Sequence, residues 1–456
     1  MHVIHCITIP HSVLFWWPSP GSRKQDYMST PTPPFTAPDT AMSTCVDPLP
    51  TQVDFNGRRL LITGGPANLS LRLVWGAVPG VLLALQVQEQ FGDEHKVGIL
   101  ALVTTVGAIA AMLFQPVAGM ISDRTRSRFG RRAPWIVLGA LSGGLALVAL
   151  AFADTLATLM ICWVTVQIGF NFSEAALSAI LPDRVPHSAR GVFSAVIGLA
   201  SMFGSLGGQV FAAKFSENIP AAYLMLAGFA IVMMTLFVVL NPDASSSGLA
   251  VEPFKVRSFI ASLWVSPARY PDFFWTIVSR LFTYSGYFIV FGYKLYILQD
   301  YIGLGKDAIS FVPVVGLVSL AGVTITSLIA GRLSDRLGRR KIFIGISAST
   351  IGIALAVPLF MPNTLGMLIM AGIGGLGFGC FQAIDTALIS EVLPSDRSYG
   401  KDLGIVNIAV ILPQILAPAI AGAIVTVSGG YSLLFPLGAL FGILGAVSIV
   451  KVRSIR

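Results

Sequence analysis

Gly119-Met-Ile-Ser-Asp123-Arg124, followed by Gly130-Arg131-Arg132, is the most informative stretch of this sequence, because a weaker copy returns later as Gly331-Arg-Leu-Ser-Asp335-Arg336. The two copies begin 212 residues apart. Two further matches have an offset of 211 residues: Gln88-Glu-Gln-Phe-Gly92 with Gln299-Asp-Tyr-Ile-Gly303, and Phe170–Leu177 with Phe381–Leu388. Three matches at nearly one offset predict that the chain contains two copies of one structural unit.

The composition predicts that these units lie in a membrane. Of 456 residues, 54% are hydrophobic and 11% are charged, whereas about a quarter of an ordinary soluble domain is charged. Apolar stretches long enough to cross a bilayer as helices occupy about residues 70–89, 97–120, 134–153, 156–180, 192–213, 221–240, 273–297, 308–331, 341–361, 364–388, 402–428 and 432–450. We therefore expect an all-α membrane protein with twelve transmembrane helices in two parallel six-helix repeats.

The distribution of basic residues predicts the orientation of the chain. Arginines crowd the connection between spans two and three, from Arg124 to Arg132, and the connection between spans eight and nine, from Arg332 to Arg340. Cytoplasmic loops carry such an excess, so both termini are expected in the cytoplasm of a cell that carries the protein in its plasma membrane. The net charge of +8 is accounted for by topology, and no nucleic-acid partner is expected.

The spans divide the chain into five parts. These are a disordered, Pro-, Ser- and Thr-rich extension over residues 1–67, a six-helix bundle over 68–240, a cytoplasmic linker over 241–272, a second bundle over 273–450 and a short cytoplasmic tail over 451–456. The four cysteines have no CxxC spacing, and the chain has no HExxH, G-x-S-x-G or GxxxxGK[ST] motif. We therefore expect no metal, no cofactor and no enzymatic activity.

The repeated loop resembles the signature loop of the major facilitator superfamily, and the resemblance covers about residues 68–450. It implies a secondary transporter whose halves rock around a central cavity, here expected to act as a monomer. Asp123 can face a helix N-terminus of the other half, and nearby arginines can pair with acidic groups there. The residues expected to latch the cytoplasmic side are Asp123, Arg124, Arg131, Asp335, Arg336 and Arg339. The alternative is that these charges only fix the topology.

Within the superfamily, the run from Gln115-Pro116 to Arg132-x-Pro134 is most similar to the loop of sucrose and glycoside proton symporters. Span four, however, lacks the Asp, Pro and Arg of the sucrose symporter pattern, and span two lacks the acidic residues of melibiose-type carriers. Gly204-Ser205-Leu206-Gly207-Gly208 in span five is similar to a glycine-rich stretch of antiporters, although small residues in a membrane helix also mark close helix packing.

Few ionisable residues fall within the spans, and each is a functional hypothesis because a charge facing lipid is unfavourable. Glu174 and Asp385 occupy equivalent positions of the repeat, and a carboxyl group removed from water holds a proton more readily. We expect Glu174 to be the first proton carrier and Asp385 the second. The alternative is a structural ion pair, with Arg72, Arg190 and Lys401 as candidate partners.

Uncharged polar and aromatic residues within spans are expected to line the cavity. The candidates are Gln167, Asn171, Tyr284, Tyr287, Gln382 and Asn407. Arg72 and Arg280, near the starts of spans one and seven, are interpreted as end anchors rather than as ligands of an anionic substrate.

These observations favour a proton-coupled secondary transporter that moves a small molecule across the lipid bilayer. The missing sugar pattern and the sparse polar lining favour export of small amphiphilic or drug-like compounds by proton antiport. The signature loop favours the alternative, uptake of a sugar or glycoside with a proton. A transport-inactive membrane sensor is the alternative from another class.

Overall fold

The computed structural model describes residues 57–186, 189–247, 270–392 and 399–453. Over these ranges the chain forms twelve long helices and no strand. They are α1 Gly57–Ala77, α2 Leu83–Arg124, α3 Ala133–Leu150, α4 Leu156–Ser178, α5 Arg190–Lys214, α6 Ile219–Leu240, α7 Pro271–Phe291, α8 Ala308–Leu337, α9 Arg340–Phe360, α10 Thr364–Val392, α11 Tyr399–Ser428 and α12 Leu434–Val450. The prediction of an all-helical protein is confirmed.

Two of the spans are interrupted. α1 runs through a π-helical turn, Val78–Leu82, directly into α2, and the chain reverses at Gly92, whose φ of 74° suits glycine. α7 is followed by the short helix Lys294–Tyr296 and the π-helical turn Ile297–Tyr301, and the resulting bend is 46°.

The described helices are apolar enough to cross a membrane. Nine helical stretches qualify by length and hydropathy, or ten if the bent pair at α7 is one span. One stretch, Gly57–Arg124, has 68 residues, which as a straight helix would be about three times the thickness of the hydrocarbon core. Division at Gly92 makes it two spans, and α12 falls short of the others only in having 17 residues. Large exposed apolar side chains such as Leu145, Ile161 and Leu328 cover the outer surface, as expected for contact with lipid.

The two halves pack in the same way. In the first half, α1 packs on α5 and α6, α3 on α4 and α6, and α2 on α4; in the second half, α7 packs on α11 and α12, α9 on α10 and α12, and α8 on α10. The halves meet along α2 with α11 and α5 with α8. The contact pattern therefore repeats with the sequence.

Glycines allow several of these helices to approach closely. A Cβ at Gly139 of α3 would lie 2.6 Å from the carbonyl oxygen of Gly169 on α4. A Cβ at Gly208 of α5 would lie 2.8 Å from the amide nitrogen of Ala77 and would also collide with the Leu73 carbonyl of α1. The glycine-rich stretch of α5 is thus explained by packing on α1, the interpretation that needs no antiporter function.

The helical bundle begins earlier than the sequence indicated. α1 starts at Gly57, so residues 57–67 are helical rather than part of the disordered extension. Gly64 and Gly65 suggest a break in the sequence, yet they face Phe193 and Val196 of α5, where larger side chains would have little room. Residues 1–56, 248–269 and 454–456 lie outside the described residues, so the disorder, most of the linker and the end of the tail stay predictions.

The first residues of the linker dock on the signature loop. The amide of Ser246 donates to the Ser127 carbonyl at 3.1 Å, and the amide of Ser127 donates to the Ser246 hydroxyl at 3.1 Å. The same hydroxyl donates to the Thr125 carbonyl at 3.0 Å. Residues 241–247 are therefore attached to the first half, which fixes where the linker leaves it.

Candidate functional site

A cavity of about 680 Å³ lies between the two halves. It is lined by polar side chains, aromatic rings and two ion-pairing arginines, contributed mainly by α1, α2, α4, α7, α10 and α11. The polar residues are Thr104, Gln115, Gln167, Asn171, Glu174, Gln382 and Gln414; the aromatic residues are Trp75, Trp163, Tyr284, Phe288 and Tyr293; the arginines are Arg72 and Arg280. A small polar molecule with an apolar face fits such a lining, in which a few polar groups fix orientation.

Most of the predicted cavity residues reach this cavity. Gln167, Asn171, Tyr284 and Gln382 line it. Tyr287 does not: its ring stacks on Phe291 at a centroid distance of 4.1 Å and on Phe378 at 4.4 Å. Both Tyr284 and Tyr287 contact Phe378 of α10, but only Tyr284 also reaches the cavity. The side chain of Asn407 lies outside the described residues, so its role stays a prediction.

Several residues that line the cavity were not among the predicted ones. Gln115 and Gln414 are amides inside apolar spans, each next to a proline, and that position could have identified them. Trp75 and Trp163 also line the cavity, and their rings meet edge to face at 6.4 Å. The lining is therefore richer in amides than the sequence indicated, so the expectation of sparse polar lining was wrong.

The first acidic candidate, Glu174, forms an ion pair on the cavity wall. Its Oε1 accepts a hydrogen bond from Arg72 Nη2 at 2.5 Å, and its Oε2 accepts one from Trp75 Nε1 at 3.0 Å. The side chains of Arg72 and Glu174 are 35% and 22% exposed. Both carboxylate oxygens thus have a partner, and the pair joins α1 to α4. Arg72 is an ion-pair partner here and not simply an end anchor.

The second candidate, Asp385, pairs with the repeat-related arginine but in a drier setting. Arg280 Nε lies 3.2 Å from Asp385 Oδ2, and the two side chains are only 10% and 3% exposed. Within the described part of the chain, neither Nε nor Nη1 of Arg280 has a hydrogen-bond partner. The Arg280 guanidinium carbon lies 5.7 Å from the centroid of the Tyr284 ring. This pair joins α7 to α10, and it is more buried and less completely hydrogen-bonded than its counterpart.

The charges of the signature loop are engaged within the first half. Asp123 pairs with Arg132, a buried residue that the sequence analysis did not select. Asp183, just after α4, pairs with Arg131 at 2.7 Å and with Arg132 at 2.9 Å. Arg132 also donates to the Ser122 hydroxyl at 2.8 Å. Asp123 therefore contacts its own half in this conformation, whereas the sequence analysis expected contact with the other half.

Fewer contacts can be described for the remaining latch candidates. Arg336 and Arg339 are exposed at the end of α8, and the side chain of Asp335 lies outside the described residues. Arg124 ends α2 and has interactions of its own. In the part of the chain that the structure describes, no group of three or more His, Cys, Asp or Glu side chains is arranged to bind a metal ion.

Several polar contacts between the halves lie toward the end of the bundle that carries Gly92 and Gly303, opposite the arginine-rich loops. Tyr296 donates to the Ala84 carbonyl at 2.7 Å, Lys96 pairs with Asp300 at 3.0 Å, and Lys294 hydrogen-bonds to Gln209. The cavity residues Gln115, Glu174 and Gln382 lie on the arginine-rich side of these contacts. We call the first end the closed end and the second the basic end.

The described helices form two similarly packed halves around a central cavity, as the sequence repeat implied. The family described as "MFS/sugar transport protein" matches residues 95–434. The chain belongs to this family. It is therefore a membrane transporter for a small molecule and not an enzyme.

Individual relatives extend over most of the chain. The sucrose transport protein SUC4 of Arabidopsis thaliana is 23% identical over 491 aligned residues, which cover 91% of this chain and 93% of the plant protein. Among solved structures, the nucleoside transporter NupG has a TM-score of 0.72 at 12% identity and covers 87% of this chain and 100% of its own. A D-xylose-proton symporter has a TM-score of 0.65 at 15% identity, covering 86% and 97%. These structural likenesses show a shared fold.

Proposed function

We propose that the protein takes up a sugar or glycoside together with a proton. The observation that carries the proposal is the combination of amides and aromatic rings in one cavity. Sugars present hydroxyl groups around the edge of a ring and C–H bonds on its faces. Side-chain amides both donate and accept hydrogen bonds, and aromatic rings provide large flat apolar contact surfaces. Gln167, Asn171, Gln382 and Gln414 beside Trp75 supply both kinds of contact.

The similarity to a sucrose transport protein over most of both chains supports this reading over drug export, the main expectation from the sequence. Two features of the structure weaken the case for export, namely the composition of the cavity lining and the packing of α5. The lining holds five amides, from Gln115 to Gln414, and the glycines of α5 pack against α1. Gln167 and Asn171 already hydrogen-bond to each other, but an apolar drug would displace water from the other amides without offering them a hydrogen-bond partner, which is unfavourable.

The basic end is proposed to face the cytoplasm of a cell with the protein in its plasma membrane, since arginine-rich loops stay on that side. The contacts between the halves then lie at the outer face, and the cavity belongs to a conformation that communicates with the cytoplasm. The linker and both termini are proposed to be cytoplasmic, and one chain is proposed to be sufficient for transport because the cavity is built within it.

Asp385 and Glu174 are proposed to carry the proton, with Asp385 as the main carrier. Protonation of Glu174 would disrupt hydrogen bonds to both Arg72 and Trp75. Protonation of Asp385 would weaken its contact with Arg280, whose Nε and Nη1 have no hydrogen-bond partner among the described residues. Because Arg280 also lines the cavity, its release from Asp385 would change a group that solute can reach. Proton and solute would thus be coupled through one arginine.

The signature loop is proposed to latch the basic end when the cavity turns outward. In the present conformation Asp123 and Arg131 are held by Arg132 and Asp183 within the first half. Arg336 and Arg339 of the second half are exposed and available for new partners after closure. Arg124 and Asp335 are proposed to take part at the same end.

The experiment that tests the function uses protein reconstituted in liposomes with an imposed inward proton gradient. Labelled sucrose and a panel of glycosides are compared with cationic dyes and antibiotics. We expect saturable accumulation of a sugar or glycoside that collapses with an uncoupler, accompanied by proton entry.

Asp385→Asn serves as the matched control, since it preserves shape but removes the proton-binding group. Movement of dyes or antibiotics against the proton gradient, without sugar accumulation, would replace the proposal with export. If size-exclusion chromatography shows that the protein is folded and neither class of solute is transported, the sensor alternative would be favoured.

A further inference from the structure

A buried lysine joins the two halves at the closed end. The side chain of Lys96 is only 3% exposed, and its Nζ lies 2.9 Å from Asp93 Oδ1 and 3.0 Å from Asp300 Oδ1. Asp93 belongs to the same helix as Lys96, α2, whereas Asp300 belongs to the π-helical turn after α7. The Lys96 ammonium lowers the pKa of the exposed Asp93 carboxyl below its ordinary value. One cation thus holds one carboxylate from each half.

Tyrosines complete the cluster from two other directions. The ring centroid of Tyr296 lies 4.9 Å from the Lys96 ammonium, a cation–π distance, and its hydroxyl donates to the Ala84 carbonyl of the first half at 2.7 Å. The hydroxyl of Tyr431, in the turn between α11 and α12, donates to Asp300 Oδ2 at 2.7 Å. Both oxygens of Asp300 are therefore occupied, and its orientation is fixed.

Burial makes this contact specific to one conformation. An ammonium group removed from water is strongly unfavourable unless it is paired. Lys96 is buried because Asp300 and Tyr296 of the second half cover it. Separation of the halves at this end would remove both, so Lys96 would need water in their place. The cluster therefore stabilises the closed arrangement relative to the open one.

The sequence repeat shows that this contact is made once and not twice. At the offset of 211 residues, Asp300 corresponds to Glu89 and Lys96 corresponds to Asp307. The equivalent positions are both acidic and cannot form an ion pair. The motif Gln88–Gly92 and its copy Gln299–Gly303 therefore provide a chain reversal in both halves, but only the second copy supplies a partner for a lysine.

We propose that the Lys96–Asp300 pair, oriented by Tyr431, is the gate that closes the end of the molecule opposite the signature loop and separates once in every transport cycle. Lys96 and Asp300 act on the conformation and need not touch the solute. The inference goes beyond the proposed sugar transport, because a gate at this end is required for any solute that alternates between the two sides.

A distance measurement tests the gate without any substrate. Asp154→Cys and Lys306→Cys place spin labels at exposed positions of the two halves at the closed end, with Cys6, Cys45, Cys162 and Cys380 replaced by serine. Electron spin resonance then reports the fraction of protein with this end open. We expect Lys96→Met and Asp300→Asn each to increase the ratio of open to closed protein about tenfold, equivalent to about 1.4 kcal/mol.

The double variant decides whether the two residues act as a pair. Lys96→Met combined with Asp300→Asn should open the protein no further than either change alone, because a shared interaction is lost only once. Lys96→Arg should preserve the closed distance. Glu217→Gln, which removes an exposed acid at the same end, is the control and should leave the distances unchanged.

Two results would overturn the gate. Unchanged distance distributions in both single variants would show that the pair does not hold this end closed. Additive opening in the double variant would show that each residue acts through other contacts. If the lysine variants fail to fold, Tyr431→Phe removes one hydrogen bond from Asp300, and an unchanged distribution there would count equally against the gate. Absence of sugar transport by the unmodified protein would contradict only the proposed substrate, because the distance measurement needs no solute.

Discussion

Replacement of Asp385 by asparagine should destabilise the protein more than the equivalent change in the repeat-related ion pair, Glu174→Gln. The change preserves the shape of the side chain but leaves the Arg280 guanidinium without its counter-ion. Arg280 is 9% exposed, so water cannot readily replace the lost carboxylate. The matched change, Glu174→Gln, leaves Arg72 with 35% of its side chain exposed. The two variants thus remove a carboxylate charge from a buried ion pair and from a partly exposed one.

The burial of each pair sets the expected magnitudes. Loss of one partner from a buried ion pair costs about 3–5 kcal/mol, since the other charge stays buried. Loss of a partly exposed pair costs about 0.2–1 kcal/mol. For a unit the size of one half, each kcal/mol lost from the free energy of unfolding lowers the melting temperature by roughly 2–4 °C. Asp385→Asn should therefore lower the melting temperature by on the order of 10 °C, and Glu174→Gln by about 4 °C or less.

Thermal unfolding in detergent, followed by intrinsic fluorescence, measures both variants side by side. A double variant, Arg280→Met with Asp385→Leu, should recover most of the loss, because two apolar side chains need no partners. Equal melting temperatures for Asp385→Asn and Glu174→Gln would refute the reasoning. In liposomes, proton-driven accumulation by Asp385→Asn would separately exclude Asp385 as the main carrier.

Three further predictions use the remaining contacts. Glu174→Gln should weaken or abolish gradient-driven accumulation with little loss of stability; unchanged accumulation in vesicles would exclude a coupling role. Asp123→Asn should slow cycling, because the signature loop would latch the basic end less well; a normal turnover rate would contradict the latch. Gly208→Leu should destabilise the first half by about 1–3 kcal/mol through overpacking against α1, whereas Gly228→Leu on α6, with open space around it, should not; equal unfolding temperatures would refute the packing argument.

Most of the fold could be predicted because the evidence for it is local and repeated. Apolar runs predict helices one at a time, and three matches at one offset relate the second half to the first. The internal breaks were harder to place. Gly92 reverses the chain inside a continuous helical stretch, and α1 begins before its apolar run. Such boundaries depend on what the neighbouring helices allow, and periodicity contains no information about neighbours.

The candidate site could be predicted in part, and the failures share a cause. Glu174 and Asp385 were identified because a charge inside an apolar span is unusual in one dimension. Their partners required knowledge of which helices touch: Arg72 was one of three candidates, and Arg280 was interpreted as an anchor. Tyr284 and Tyr287, one turn apart on α7, both contact Phe378 of α10, yet only Tyr284 also lines the cavity, a difference that spacing along one helix does not predict. The sequence offers several arginines in this loop and does not distinguish Arg132, which contacts both Asp123 and Asp183.

The repeat gives each half an arginine and an acid at the same place, yet the two pairs are not interchangeable. Arg72–Glu174 is partly exposed and both of its carboxylate oxygens are hydrogen-bonded, so water can compensate for a lost charge; Arg280–Asp385 is buried and incompletely hydrogen-bonded, so loss of its charge affects the surrounding helices more strongly. The two ends of the molecule also differ in how their charges are paired. Lys96 bridges the halves at one end, whereas the signature-loop charges are satisfied within one half at the other. The proposed gate and latch would use this asymmetry of charge to stabilise two conformations of a symmetric fold through different contacts, and alternation between two states requires such a difference.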